Sequence, residues 1–273
     1  MGLVTWVLES DVFPESHVPV RAAIASAGLP VLDWKDEWWS GATYPILDGG
    51  PVVFHGSLGN AAAIAERLPW KPGAFCKTPA FHCSAWYDAA RRWLLHRDWR
   101  ILPANEFVAR APEVCAELGC TDRVFVRPDS PLKPFSGRVL AVNAITLEAL
   151  DHGFYYDDET LPVVAAPVRA VACEWRFVVV RSKVVAGSAY DSVTRSALPD
   201  TPASSAWVFA NSISSELPPP EEVYVLDVCQ ADGELRLLEL NPFSGADLYA
   251  CSAPHVVGTV TEVVVDLWDA PAR

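Results

Sequence analysis

The chain has 273 residues, 51% of them hydrophobic and 20% charged, which excludes extended disorder and allows one large domain or two closely joined ones with a substantial core. Its formal charge of −13 argues against nucleic acid as a main partner, because phosphate binding needs a basic face. No apolar run reaches transmembrane length and no basic-then-apolar leader opens the chain, so the expected location is cytoplasmic, with no membrane partner.

Strands and helices alternate at the start. GLVTWVLE reads as an extended start, PVRAAIASAG as a small-residue helix stopped by Gly28, and LPVLDW as a second strand. PVVFHGS (51–57) is a further strand, followed by the helical NAAAIAERL, so this part predicts a small parallel sheet. A longer helix is expected at about 84–97, with Ser84 as its cap and Trp86, Ala90, Trp93 and Leu94 as one apolar stripe. That stripe, and the eight tryptophans before residue 100, read as core.

From about residue 121 the pattern changes. RVFVRP, SGRVLAV, PVVAAPV, EWRFVVVR, KVVAGSAY, EVYVLDV and ELRLLELN are seven strand-like runs separated by turn residues. Between them ITLEALDHG predicts a short helix, capped by Thr146 and stopped by Gly153. The tail is valine-rich, yet its apolar positions 256, 257, 260, 263, 264, 267 and 268 follow helical spacing, and period outranks propensity. The fold class is therefore α/β followed by α+β with largely antiparallel sheets. The change falls near 100–121, which divides the chain into 1–110 and 111–273.

Seven cysteines, an odd number without a Cys-x-x-Cys pair, read as reduced and mostly buried thiols. Six histidines show no metal-ligand spacing. The acidic strand pair is more informative. Residues 201–273 carry eleven Asp and Glu against two Arg, a net of −9, and some of those carboxylates interrupt apolar strands. In LRLLELN, alternation places Glu239 and Asn241 on one face. Register decides whether Asp227, one strand earlier, joins them. A two-residue Asp232-Gly233 turn would oppose Asp227 to Leu238 and turn it away, whereas a three-residue Ala231–Gly233 loop would oppose it to Leu237 and bring it onto the face of Glu239 and Asn241. Converged, the three make a hard-oxygen site suited to magnesium; otherwise they are the wet end of a hairpin.

Three further stretches lie in suggestive order: FVRPDSPLKPFSGRVL, PVVAAPVRAVACEWRFVVV and VVAGSAY, followed by the acidic pair and LLELNPFSGADLY. Over residues 121–250 this order resembles the ATP-grasp superfamily, and more narrowly its bacterial branch marked by two arginines and a lysine. The resemblance implies a nucleotide held between two α+β lobes, with residues 1–110 as the small domain preceding the grasp. It implies ATP and Mg2+ as cofactors, the metal on Asp227, Glu239 and Asn241. By position, Arg127 would contact nucleotide phosphate, and Lys133, one of five lysines and set between Pro131 and Pro134, would close over it. Arg176 would be the second arginine, aimed with Lys133 at the transferring phosphoryl group. The usual hinge glutamate is missing from Val164–Val168, which leaves the Ala166 carbonyl and the Val168 N–H to hold the base, since Pro167 has no N–H to offer, and Glu174 as a candidate for the ribose.

The activity so implied is ATP-dependent ligation of a carboxylate to an amine through an acyl-phosphate, with small-molecule or peptide substrates. The alternatives are a phosphotransferase of the same fold and a non-catalytic ATP-binding sensor. No Ser or Cys nucleophile motif is present or needed. Oligomeric state is not legible in the sequence.

Overall fold

The protein is described from a computed structural model covering residues 3–41, 50–191 and 196–270. In chain order, β1 (Thr5–Leu8), α1 (Pro14–Ser26), β2 (Val31–Asp33), α2 (Glu37–Gly41), β3 (Val52–His55), α3 (Leu58–Arg67) and β4 (Pro72–Gly73) come first. Then follow α4 (Cys83–Ala90), β5 (Arg100–Pro103), α5 (Ala104–Ala109), α6 (Ala111–Glu117), β6 (Arg123–Pro128), β7 (Arg138–Ala141) and β8 (Pro162–Pro167). The remainder holds β9 (Cys173–Val180), β10 (Lys183–Asp191), β11 (Ser196–Pro199), α7 (Ser205–Glu216), β12 (Val223–Ala231), β13 (Glu234–Pro242) and α8 (Ala253–Asp269).

These elements form two compact units, one of residues 1–77, 173–230 and 237–273, the other of 78–172 and 231–236. The first unit contains the expected parallel sheet, in the order β2-β1-β3-β4, and a five-stranded antiparallel sheet ordered β11-β10-β9-β12-β13. Trp6 and Leu8 of β1, Val178 and Val180 of β9, Val223 and Val225 of β12 and the Val256, Val257, Val260 stripe of α8 share one core. Period does outrank propensity in that valine-rich helix, although Leu267 ends on the exposed side. The second unit is the antiparallel sheet β5-β8-β6-β7, covered by Phe107, Val114 and Leu118 of α5, α6 and the residue that follows α6.

All seven strand-like runs are strands, and Trp6, Trp34, Trp70 and Trp86 are buried as core. Several expectations need correction. The 84–97 helix ends at Ala90, because Arg91 turns back to donate to the Arg97 carbonyl and covers the Trp99 ring at 3.9 Å. Ser84 is not its cap. Asp129 takes that role from across the unit, accepting from the Ser84 N–H at 2.7 Å and from its hydroxyl at 2.9 Å. ITLEALDHG shrinks to one 3-10 turn at Glu148–Leu150, although Thr146 does accept from the Ala149 N–H and Gly153 does adopt φ +81°. Helices α5, α6 and α7 and strands β5 and β11 had no counterpart in the sequence reading. Among the described residues the cysteines are free thiols, six of them buried, and no helix is long and apolar enough to cross a membrane.

Buried histidines make the fold acid-sensitive. His17 Nε2 and His55 Nδ1 lie 2.9 Å apart in the first unit, and burial, reinforced by His17, pushes His55 down to about 3. His17 is lowered too, chiefly by burial. In the second unit burial, with Arg127 and Arg169 adding to it, pushes His96 down to about 4. The unfolded chain protonates these groups near 6.5, so stability present above that pH is lost as pH falls toward 4. Buried Glu221, raised to about 7 by burial, works in the opposite sense between 4.5 and 7, one group against three. Urea midpoints are therefore expected to fall between pH 7 and pH 4.5 by an amount on the order of 2 kcal/mol. A flat or rising midpoint would contradict this.

Candidate functional site

The end of the acidic hairpin is the most heavily bonded polar cluster of the first unit. Pairing of β9 with β12 sets Arg176 directly opposite Asp227. The guanidinium meets the carboxylate in two parallel bonds, Nε to Oδ1 at 2.9 Å and Nη2 to Oδ2 at 2.7 Å, while Nη1 donates to the Asp247 carbonyl at 2.9 Å. Both side chains are buried, the Asp227 side chain completely so. Burial by itself would pull Arg176 down, but the Asp227 charge and its hydrogen bonds outweigh that and hold the guanidinium well above its ordinary value.

Asn241 on β13 joins this pair. Its Nδ2 donates to Asp227 Oδ2 at 3.2 Å and to Glu239 Oε1 at 3.0 Å. The convergence occurs even though the turn is the two-residue one, with Asp232 at φ 52° and Gly233 at φ 77°. Unbroken alternation from such a turn would have pointed Asp227 the other way. Strand β12 pairs with β9 without any shift from Val223 to Gln230, so the interruption lies in β13. Burial marks the place: Leu237 and Leu240 are both in the core, three residues apart, with half-buried Leu238 and Glu239 between them.

The Pro-Phe-Ser-Gly turn anchors this strand end. Phe243 is fully buried, Ser244 accepts from the Phe75 N–H through Oγ at 2.9 Å, and its carbonyl accepts from the Gly56 N–H at 2.9 Å. A Cβ on Gly245 would lie 2.9 Å from the Leu58 Cα at the start of α3. Gly245→Ala is therefore expected to destabilise by about 1–3 kcal/mol, read as a lowered unfolding midpoint.

Aromatic rings close the arginine side. Tyr190 and Tyr249 stack with centroids 4.5 Å apart, and the Arg176 guanidinium carbon lies 4.9 Å from the Tyr249 centroid. Glu174, the ribose candidate, accepts from the Tyr190 hydroxyl at 2.8 Å. Burial raises both phenols, so they stay protonated at neutral pH. Tyr190, Tyr249 and Asp247 were missed in the sequence because tyrosines and aspartates near strand ends are commonplace.

The second unit gathers the other candidates. Strand β6 places Phe125 and Arg127 on one face, opposite Ala166 and Val164 of β8. His96 stacks on Phe125 at 4.8 Å, a contact invisible in a sequence where the histidines looked scattered. Val168 follows the end of β8. Lys133 is exposed on the loop after β6, in the left-handed region at φ 49°, its N–H bonded to the Ser130 carbonyl. The loop leaves from buried Asp129, which also contacts His82 Nδ1 at 2.9 Å.

The model of an ATP-grasp domain, family 2 of the clade named for two arginines and a lysine, matches residues 97–258, more than half of the chain. The chain belongs to that family. No curated protein sequence matches it. Solved structures sharing the fold include the D-cycloserine synthetase DcsG, at 15% identity and TM-score 0.66 over 96% of this chain and 100% of that one. A RimK domain ATP-grasp protein from Sphaerobacter thermophilus DSM 20745 has 13% identity and TM-score 0.61 over 96% and 99%. D-alanine–D-alanine ligase from Bacillus anthracis, complexed with ATP, has 13% identity and TM-score 0.58 over the full length of both chains. The fold is thus ATP-grasp, a family whose members are mostly ATP-dependent ligases working with ATP and Mg2+.

The donor set fits that metal. Two carboxylates and an amide meet at Asn241, all hard-oxygen groups of the kind magnesium takes. Among the described residues no three His, Cys, Asp or Glu side chains form a metal cluster, so an amide oxygen would have to be the third protein ligand.

Proposed function

We propose that the protein is an ATP-dependent ligase that activates a carboxylate as an acyl-phosphate, releases ADP and transfers the acyl group to an amine. The observation carrying this reading is the Arg176–Asp227–Asn241–Glu239 network, a cation and an oxygen-rich ligand set fixed by buried strands. Asp227, Glu239 and Asn241 would hold Mg2+, which when bound neutralises phosphate charge during phosphoryl transfer. Arg176 locks the Asp227 carboxylate in one orientation and offers its charge to the phosphoryl group.

In the second unit Arg127 and Lys133 would bind phosphate oxygens, and the Ala166 carbonyl and Val168 N–H would hold the base. Arg127 stands at a strand position, so its guanidinium is pre-positioned, whereas Lys133 rides on a loop and can close after binding. Glu174 remains the ribose candidate, already oriented by Tyr190. The functional division we propose is 1–110 for the preceding domain and 111–273 for the grasp.

Product analysis with ATP, Mg2+ and a panel of carboxylate–amine pairs tests the reading. ADP and phosphate are expected only when both an acid and an amine are present. A phosphorylated product that persists without amine would replace the ligase with a phosphotransferase, and ATP binding with no turnover on any pair would leave a sensor.

A further inference from the structure

The first unit contains a cavity of about 550 Å³ behind the stacked tyrosines, within the size range of small-molecule sites. Tyr190 and Tyr249 form part of its wall, with Phe13 from the segment leading into α1. Among the described residues lining it three are carboxylates, Glu15, Asp191 and Asp247, and none is Lys, Arg or His. Arg176 lies behind the tyrosine layer with Nε and Nη2 on Asp227 and Nη1 on the Asp247 carbonyl, so its charge is directed elsewhere. The first turn of α1 also borders the cavity, but Pro14 has no N–H and Glu15 adds a carboxylate there, so that turn offers little to an anion.

A cavity with such acidic and aromatic walls selects a cation. Carboxylates pair with an ammonium, and a tyrosine face attracts it further through the ring quadrupole. An anionic acyl substrate would meet repulsion from three sides. We propose that this cavity binds the amine-bearing substrate, as its ammonium form, and that Asp247 and the Tyr190–Tyr249 pair are its recognition elements. The inference rests on the ligase reading for its role and names the chemical class of one of the two substrates. Asp247 is well placed for it: its Oδ1 accepts from the Tyr249 N–H at 2.9 Å and its carbonyl accepts from Arg176, which together fix the side chain between the arginine network and the cavity.

Calorimetry on the full chain tests it with phenylalaninamide and glycinamide as cationic probes, and N-acetylphenylalaninamide and N-acetylglycine as neutral and anionic counterparts. The cationic amides are expected to bind at least ten-fold more tightly than the acetylated ones, and Asp247→Asn to weaken them about ten-fold while ATP affinity stays unchanged. Glu15→Gln, at an exposed position, is expected to shift binding in the same direction and serves if Asp247→Asn fails to fold. Equal binding of acetylated and free amides, no binding of either cationic probe, or no effect of the variants overturns the proposal. The ligase reading is judged separately. If an amine is required for ADP release yet its KM is untouched by Asp247→Asn and Glu15→Gln, ligation stands and this cavity is not its amine site. If the probes bind as expected but no acid–amine pair releases ADP, the cavity stands and the ligase reading falls.

Discussion

Glu239→Gln is expected to lower ATP-dependent ADP release by on the order of 10²-fold or more while the unfolding midpoint stays within a degree or two of the wild type. Glutamine keeps an oxygen that can accept from Asn241 Nδ2, now bonded to Glu239 Oε1 at 3.0 Å, so the local packing survives. What disappears is the negative charge on the half-buried member of the oxygen set. Asp227 is already paired with Arg176, so little other anionic charge in that set is left to hold a divalent ion. Initial rates of ADP formation across a magnesium titration, with thermal unfolding on the same samples, check this. Turnover and magnesium dependence equal to wild type would remove Glu239 from the metal set.

Asp227→Ala is expected to have the larger effect on stability, a loss of about 3–5 kcal/mol. The arginine left behind is buried, and it would lose both carboxylate bonds at 2.9 and 2.7 Å while retaining one carbonyl partner. The cost comes from a stranded buried charge more than from the net worth of the pair. The double variant Asp227→Leu with Arg176→Met should therefore recover much of the lost stability while remaining inactive. Urea denaturation of wild type, single and double variants separates the cases. A single variant costing less than about 1 kcal/mol would mean that water reaches the guanidinium.

Much of the architecture was legible because it depends on periodicity. Alternating apolar runs marked seven strands of the later chain, and the 3.6-residue spacing of valines overrode their strand preference in α8. The elements that escaped notice are short or polar: α5 and α6 are six- and seven-residue helices, and α7 carries serines and an asparagine within its helical span. The 84–97 helix was overextended because its terminus is decided by Arg91 finding Trp99 and the Arg97 carbonyl, partners that only the fold brings near.

The sequence by itself determined the chemical inventory of the site and its order along the chain: Arg127, Lys133, Arg176, Asp227, Glu239, Asn241. It also determined that Glu239 and Asn241 follow one another at a spacing of two. Whether Asp227 meets them was decided by tertiary structure alone. The two-residue turn argued against it, and an interruption within β13 reversed the parity between the turn and the site. The reason is physical: a strand's period of two is a local property, but one displaced residue shifts every later side chain to the other face. The aromatic and acidic cavity beside Asp247 belongs to the same class of fact, since Glu15, Tyr190 and Tyr249 lie far apart in sequence and acquire a shared chemistry only when folded together.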